Sequence, residues 1–236
     1  MNRKLTASAM IPVYLAVSAV ILILTAMGNR TVTVMAMSAP VPDRRCIIID
    51  PGHGDPDGGA VSCTGVFESS INLQISRRLC DLFRFLGYET MMTRETDSSV
   101  YTQGNTIGEK KISDLKERAR LINATGNTIL LSIHQNHYTD SRYGGAQMFW
   151  ADTEGSRELA ESLQRSFVTH LNPGSNRAAK KCQGIWLMDH VECPAVLVEC
   201  GFLSNPAEEA KLRQPVYQQK ICCVIVCSVS KHLSNT

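Results

Sequence analysis

Net charge and aromatic rings are both scarce in this sequence. Its 24 lysines and arginines stand against 22 aspartates and glutamates, leaving +2 over 236 residues. That balance neither demands nor forbids a charged partner. Aromatic side chains make up 6% of the chain. No basic stripe interleaved with aromatics occurs, which argues against a nucleic-acid partner. Internal repeats and low-complexity stretches are also missing, so neither a solenoid nor a compositionally disordered chain is expected. What the chain does have is 44% hydrophobic residues, enough for one good core.

One long apolar run is present. Arg3 and Lys4 precede an uncharged stretch from Leu5 to Gly28, rich in Leu, Ile, Val and Ala. A positive flank followed by about 20 apolar residues can span a bilayer, whereas the core of a cleaved signal is usually shorter. Pro12 interrupts the run, and Ala26-Met27-Gly28 and Ala36-Met37-Ser38 put small residues at cleavage positions. We expect residues 1–30 to be a signal or membrane-anchor segment, with an uncleaved anchor favoured over a cleaved signal. Either way the remainder is exported, membrane-anchored or secreted. Residues 31–43 carry Pro40 and Pro42 without periodicity and read as a linker. Residues 44–236 read as the folded domain.

Cysteine is abundant, with nine residues. An odd count leaves at least one free thiol in an exported chain. Their spacing matches no zinc knuckle or ribbon. Cys222, Cys223 and Cys227 lie among Ile221, Val224, Ile225 and Val226 and read as small apolar residues of a buried helix. An extensive disulfide framework is not expected.

The folded region alternates strands and helices. Ile47-Ile48-Ile49 is a β-branched apolar run, read as a buried strand, and Asp50-Pro51-Gly52-His53-Gly54 turns out of it. A Gly-rich loop from Asp55 to Gly65 follows. Ile71, Ile75, Leu79, Leu82, Phe83 and Leu86 recur at helical spacing over Ser69 to Leu86, with Gly87 as the stop. Tyr88 to Thr93 reads as a strand, and Arg94 to Lys111 as a long polar loop. Asp114 reads as the cap of a helix running to about Ala124. Thr128 to His134, Gln147 to Trp150, Gly184 to Met188 and Ala195 to Val198 read as strands. Helices follow from Ser156 and over Pro215 to Leu233. This pattern predicts a three-layer α/β domain: a central, mostly parallel twisted sheet flanked by helices.

The metal-capable residues fall at the ends of these strands. His53 follows the first strand, His134 ends the Thr128 strand, Glu199 ends Ala195-Val196-Leu197-Val198, and Glu68 opens the first long helix. The carboxyl ends of parallel strands converge on one edge. Two imidazoles and a carboxylate can hold a catalytic zinc with one position open to water, while a second carboxylate handles protons. Each residue also has a plainer reading. His53 is then a solvated turn histidine, Glu68 a favourable charge at a helix N-terminus, and His134 a buried imidazole bonded to backbone. Glu199 is harder to explain that way, because a carboxylate after an apolar strand needs a partner. His137, His190 and Cys200 are weaker ligand candidates.

Several segments, taken together, resemble a known family. They are Asp50-Pro51-Gly52-His53-Gly54, the Glu68 segment with Asn72, Thr93-Arg94, Ser132-Ile133-His134-Gln135-Asn136 and Glu199-Cys200-Gly201-Phe202-Leu203-Ser204-Asn205-Pro206. In this order they are similar to the zinc-dependent N-acetylmuramoyl-L-alanine amidases of the Amidase_3 type. The resemblance runs from about Arg44 to Leu233. Gly145-Ala146-Gln147-Met148-Phe149-Trp150 and Gly184-Ile185-Trp186-Leu187-Met188 further resemble the germination-specific, spore-cortex branch.

The resemblance implies that His53, Glu68 and His134 hold Zn2+ and that Glu199 is the catalytic acid/base. The bond cut would join N-acetylmuramic acid to the L-alanine of a peptidoglycan stem peptide. Arg94 and Asn136 are then substrate-binding or supporting residues. Two alternatives stay open: a zinc peptidase acting within the stem peptide, and a non-catalytic wall-binding module. No wall-binding domain is legible, so an accessory activator protein or a homodimer is a further expectation.

Overall fold

The computed structural model describes residues 45–234. The segment and linker expected at residues 1–30 and 31–43 lie outside them. Among the described residues, no helix is long and apolar enough to cross a membrane.

Six strands form one sheet: β1 (Cys46–Pro51), β2 (Thr90–Met92), β3 (Thr128–Asn136), β4 (Gln147–Trp150), β5 (Lys180–Lys181) and β6 (Ala195–Phe202). Their order across the sheet is β2-β1-β3-β6-β4-β5. β1, β2, β3 and β6 run parallel, β4 lies antiparallel to β6, and β5 follows β4 in parallel.

Alternation along the strands sorts side chains onto two faces. Ile47 and Ile49 enter one core cluster, with Ile129, Leu131, Val196 and Val198, under helices α1 (Glu68–Phe85), α3 (Ser156–His170) and α6 (Pro215–Leu233). Ile48, between them, enters the other, with Leu130, Ala195 and Leu197, under α2 (Ile107–Asn123) and the short α4 (Trp186–His190). A further helix, α5 (Pro206–Leu212), follows β6 and adds Leu212 to the first cluster. The result is the helix–sheet–helix sandwich that the alternating pattern predicts.

Several local expectations are corrected. Gly184 to Met188 is not a strand. Its last residues open α4, where His190 donates from Nδ1 to Trp186 O and stacks on the Trp186 ring at 3.8 Å. A five-residue apolar run carries no usable period, so helix and strand cannot be told apart there. Asp114 does not cap α2. Thr106 does, in a capping box in which the Thr106 hydroxyl accepts from Glu109 N while Glu109 accepts from Thr106 N. Asp114 lies two turns into the helix, buried, as a partner of Arg118. Leu86 is 51% exposed because it stands at the C-cap, past the packed stripe. Cys223 and Cys227 are exposed while Cys222 is buried, since α6 packs with only one side inward. None of the nine cysteines is in a disulfide.

Candidate metal centre

The site is built where β1, β3 and β6 end. β1 finishes at Pro51, and the chain turns through Gly52 and His53. Here φ of His53 is 62°, a left-handed conformation that costs a non-glycine residue about 1–3 kcal/mol. Two buried arginines hold this turn by its carbonyls. Arg94 donates from Nε to Pro51 O at 2.9 Å and from Nη2 to Gly52 O at 3.0 Å. Arg118 donates from Nη2 to His53 O at 2.6 Å. Arg118 is itself fixed by Asp50, at 2.6 Å from Nη1, and by Asp114, at 2.8 Å from Nε. Burial opposes ionisation of Asp50. Arg118 and the hydroxyls of Thr93 and Ser132 outweigh it and hold that carboxyl at about 2.

Held this way, the His53 ring meets two carboxylates. Nδ1 lies 3.0 Å from Asp57 Oδ2 and Nε2 lies 3.2 Å from Glu68 Oε2. Burial would lower the imidazole pKa, but the two carboxylates raise it to about 9. Glu68, the first residue of α1, sits at the positive end of that helix. Its Oε2 accepts from Ala60 N at 3.0 Å. Its Oε1 accepts from Gln135 N and Asn72 Nδ2, each at 3.1 Å, and faces His134 Nδ1 at 2.9 Å. Burial penalises the charge, yet the two histidines keep this carboxyl far below the ordinary range. His134, on β3, completes the cluster. One ligand atom from each of His53, Glu68 and His134 lies within 4.8 Å of the others.

The backbone around the cluster leaves no room to spare. A Cβ on Gly52 would sit 2.2 Å from the His134 ring. One on Gly59 would sit 2.6 Å from His53 Cδ2 and 2.7 Å from Glu68 Oε2. Glu199 is the β6 residue paired with His134 across the parallel ladder, so the two side chains leave the sheet on one face. Its Oε2 is buried and has no hydrogen-bond partner. Burial, against the opposing charges of His134 and His53 and with that of Glu68, pushes the Glu199 carboxyl up to about 7. Beside the histidines opens a cavity of about 330 Å³ lined by Lys111, Leu115, Ile185 and Trp186 among others.

These residues fit a divalent metal of the zinc type. Two imidazoles and a carboxylate are a catalytic zinc donor set. Asp57 on His53 Nδ1 is the carboxylate–imidazole contact that fixes a ligand's ring and leaves Nε2 facing inward.

Of the other sequence candidates, Arg94 is 3% exposed. Its donors go to Pro51, Gly52, Ser69 and Thr96 carbonyls and to Asp97, so it braces the His53 turn from below. Asn136 ends β3, half-buried, and its carbonyl accepts from Leu203 N. His137 and His190 are exposed and stand outside the cluster. Cys200 lies in the first core cluster, on the opposite face from Glu199, and burial pushes its thiol far above the usual range. Asp57 and Arg118 were not singled out from the sequence. The signals were there: a carboxylate four residues after His53 in a glycine turn, and an Asp114–Arg118 pair at i, i+4 on a helix.

Comparison with known proteins gives this geometry its context. Residues 47–231 match the N-acetylmuramoyl-L-alanine amidase family, Amidase_3. The germination-specific N-acetylmuramoyl-L-alanine amidase of Bacillus subtilis (strain 168) is 34% identical over 193 residues, covering 81% of each chain. The CwlD amidase of Clostridioides difficile, solved in complex with the GerS lipoprotein, superposes with a TM-score of 0.78 at 36% identity. That match covers 81% of this chain and 100% of that one. A second N-acetylmuramoyl-L-alanine amidase structure, from Clostridium difficile 630, gives 0.71 at 29% identity, over 81% of this chain and 98% of that one.

Proposed function

We infer the function from one premise: this chain belongs to the N-acetylmuramoyl-L-alanine amidase family, enzymes that cut the amide between N-acetylmuramic acid and the L-alanine of a peptidoglycan stem peptide. On that premise the chain is a zinc hydrolase in which His53, Glu68 and His134 hold the metal and Glu199 moves the proton. The observation that supports this most is an unpartnered, buried carboxylate oxygen beside a three-residue metal-capable cluster.

Zinc bound there would polarise the scissile carbonyl and acidify water. The chain's own groups do the rest. Asp57 fixes the His53 ring, and Arg94 and Arg118 fix the turn that carries it. Glu199, poised near neutrality, takes a proton from the attacking water and hands it to the departing alanine nitrogen. Such general acid–base catalysis contributes typically about 10²–10⁴-fold.

The reading extends to place and partner. The germination-specific relative supports action on the spore cortex. The neighbour solved with a lipoprotein supports an accessory protein for this chain as well. Residues 1–30 would export the domain and anchor it, with residues 44–236 as the catalytic domain.

The test is zinc content of the full-length chain followed by mass spectrometry of digested peptidoglycan, with Glu199→Gln as control. One zinc per chain and release of stem peptides headed by free L-alanine, lost in the variant, are expected. Cuts inside the stem peptide would overturn the bond assignment. Absence of zinc from active protein would overturn the metal assignment.

A further inference from the structure

We propose that a cationic groove along β4, one strand over from the β6 strand that carries Glu199 and centred on Arg177, binds a carboxylate of the stem peptide and so sets which half of the substrate lies on the β4 side of the site. This deepens the amidase reading and rests on it for the identity of the ligand.

β4 pairs antiparallel with β6, and Gln147 is the direct partner of Glu199. Arg177 donates from Nη1 to Gln147 Oε1 at 3.2 Å and from Nε to Gly144 O at 3.1 Å. Its guanidinium carbon stands 5.2 Å from the centre of the Phe202 ring, at the end of β6. Three contacts therefore fix the plane of a half-buried guanidinium, held to Gln147 on the strand next to the one that carries Glu199. Gln147 is held in turn by Gln164 and by Ala178 O. Arg177 keeps donors in hand, since these bonds use two of the five its side chain carries.

Around it lies a groove of about 970 Å³ that also takes in Lys180 and Lys211. Among the described residues, no carboxylate forms an ion pair with Arg177, Lys180 or Lys211. The other arginine there, Arg142, is already paired with Asp140 at 2.7 Å. The unpaired cations, one of them pre-oriented for a forked hydrogen bond, leave the groove short of an anion.

Of the two halves of the substrate, the stem peptide carries free carboxylates and the N-acetylated glycan presents mainly neutral hydroxyl and amide groups. Charge complementarity puts the peptide in this groove. Its alanine nitrogen then leaves on the side of Glu199, where a proton donor is needed.

Binding tests this independently of turnover. Calorimetry on the full-length chain would compare a synthetic stem tripeptide with free carboxylates against the same tripeptide with its carboxylates amidated, with and without zinc. Wild type should bind the acid form about tenfold more tightly, the scale of one charge-assisted bond. Arg177→Gln should bring the ratio close to one, and Arg177→Lys should restore part of it. Lys180→Gln and Lys211→Gln should each lower the ratio less. A wild-type ratio near one, or a ratio that Arg177→Gln leaves intact in protein with an unchanged melting temperature, would overturn the proposal. If the preference holds while peptidoglycan is cut inside the stem peptide, the groove stands and the amide-bond assignment falls.

Discussion

Two clusters of charged groups, one buried and one half-buried, lie within a few residues of each other on one edge of the sheet, and they are finished differently. Below the His53 turn, Asp50, Arg118, Asp114, Thr93 and Ser132 partner one another: Asp50 receives Thr93 at 2.5 Å, Ser132 at 2.7 Å and Arg118 at 2.6 Å. All three Arg118 nitrogens have acceptors. Above the turn, His53, Glu68 and His134 draw together, and Glu199, in register with His134, is left with Oε2 unpartnered. A satisfied network fixes shape, and an unsatisfied one holds chemistry in reserve. The lower cluster is built as a scaffold. The upper one is the candidate site.

The largest effect should come from breaking the scaffold. Arg118→Ala strands two buried carboxylates, Asp50 and Asp114, and removing one member of a buried ion pair costs about 3–5 kcal/mol. The unfolding free energy from urea titration should fall by that amount, with a lower midpoint. A neutral outcome would mean that the network contributes nothing to holding the turn.

Acid and base should then separate the two clusters. Asp50 titrates at about 2 in the folded chain against an ordinary 3.8. A lowered carboxylate gives stability that is present above 3.8 and is lost as pH falls toward 2, here about 2 kcal/mol. His53 without metal is raised from 6.5 to about 9. A raised imidazole gives stability that is full below 6.5 and is lost as pH rises through 9. Thermal melts of metal-free protein should therefore fall off at both ends. Zinc should remove only the alkaline decline, because the metal takes the place of the proton on His53.

Asp57→Asn tests the outer rim of the site. Loss of the carboxylate on His53 Nδ1 should weaken zinc binding about 10–100-fold, read by competition with a chelating dye, with little change in melting temperature. The smallest effect belongs to the scaffold again. Thr106→Ala removes the cap of the helix that carries Arg118 and should lower stability by about 1 kcal/mol without changing zinc affinity.

Much of this contrast was legible beforehand, for physical reasons that can be named. β1, β3 and β6 are strongly apolar runs, and His53, His134 and Glu199 lie within three residues of their carboxyl ends, β3 and β6 each running two or three residues further than the apolar pattern alone shows, so sheet periodicity brought these residues to one edge. Glu68 was reachable because the stripe of Ile71, Ile75 and Leu79 marks α1 just after it. The scaffold was less visible. Arg118 and Asp114 look like surface residues of a polar helix, since a buried ion pair leaves no hydrophobic pattern. Their roles depend on Asp50, which is 68 residues away in sequence from Arg118. α4 was misread because five residues hold no period. The start of α2 was missed because Asp114 competes with Thr106 as a cap on composition alone. Arg177 was invisible for a similar reason: only its bond to Gln147, the antiparallel partner of Glu199, ties it to the strand beside β6.

The most direct test of the division into scaffold and site is the stability of Glu199→Gln beside its turnover of peptidoglycan. A carboxylate oxygen buried without a partner is a cost to the fold, so Glu199→Gln should show a melting temperature at least as high as wild type, zinc retained, and amide hydrolysis reduced about 10²–10⁴-fold. A variant that unfolds, or one that still releases L-alanine-headed peptides at the wild-type rate, would contradict it.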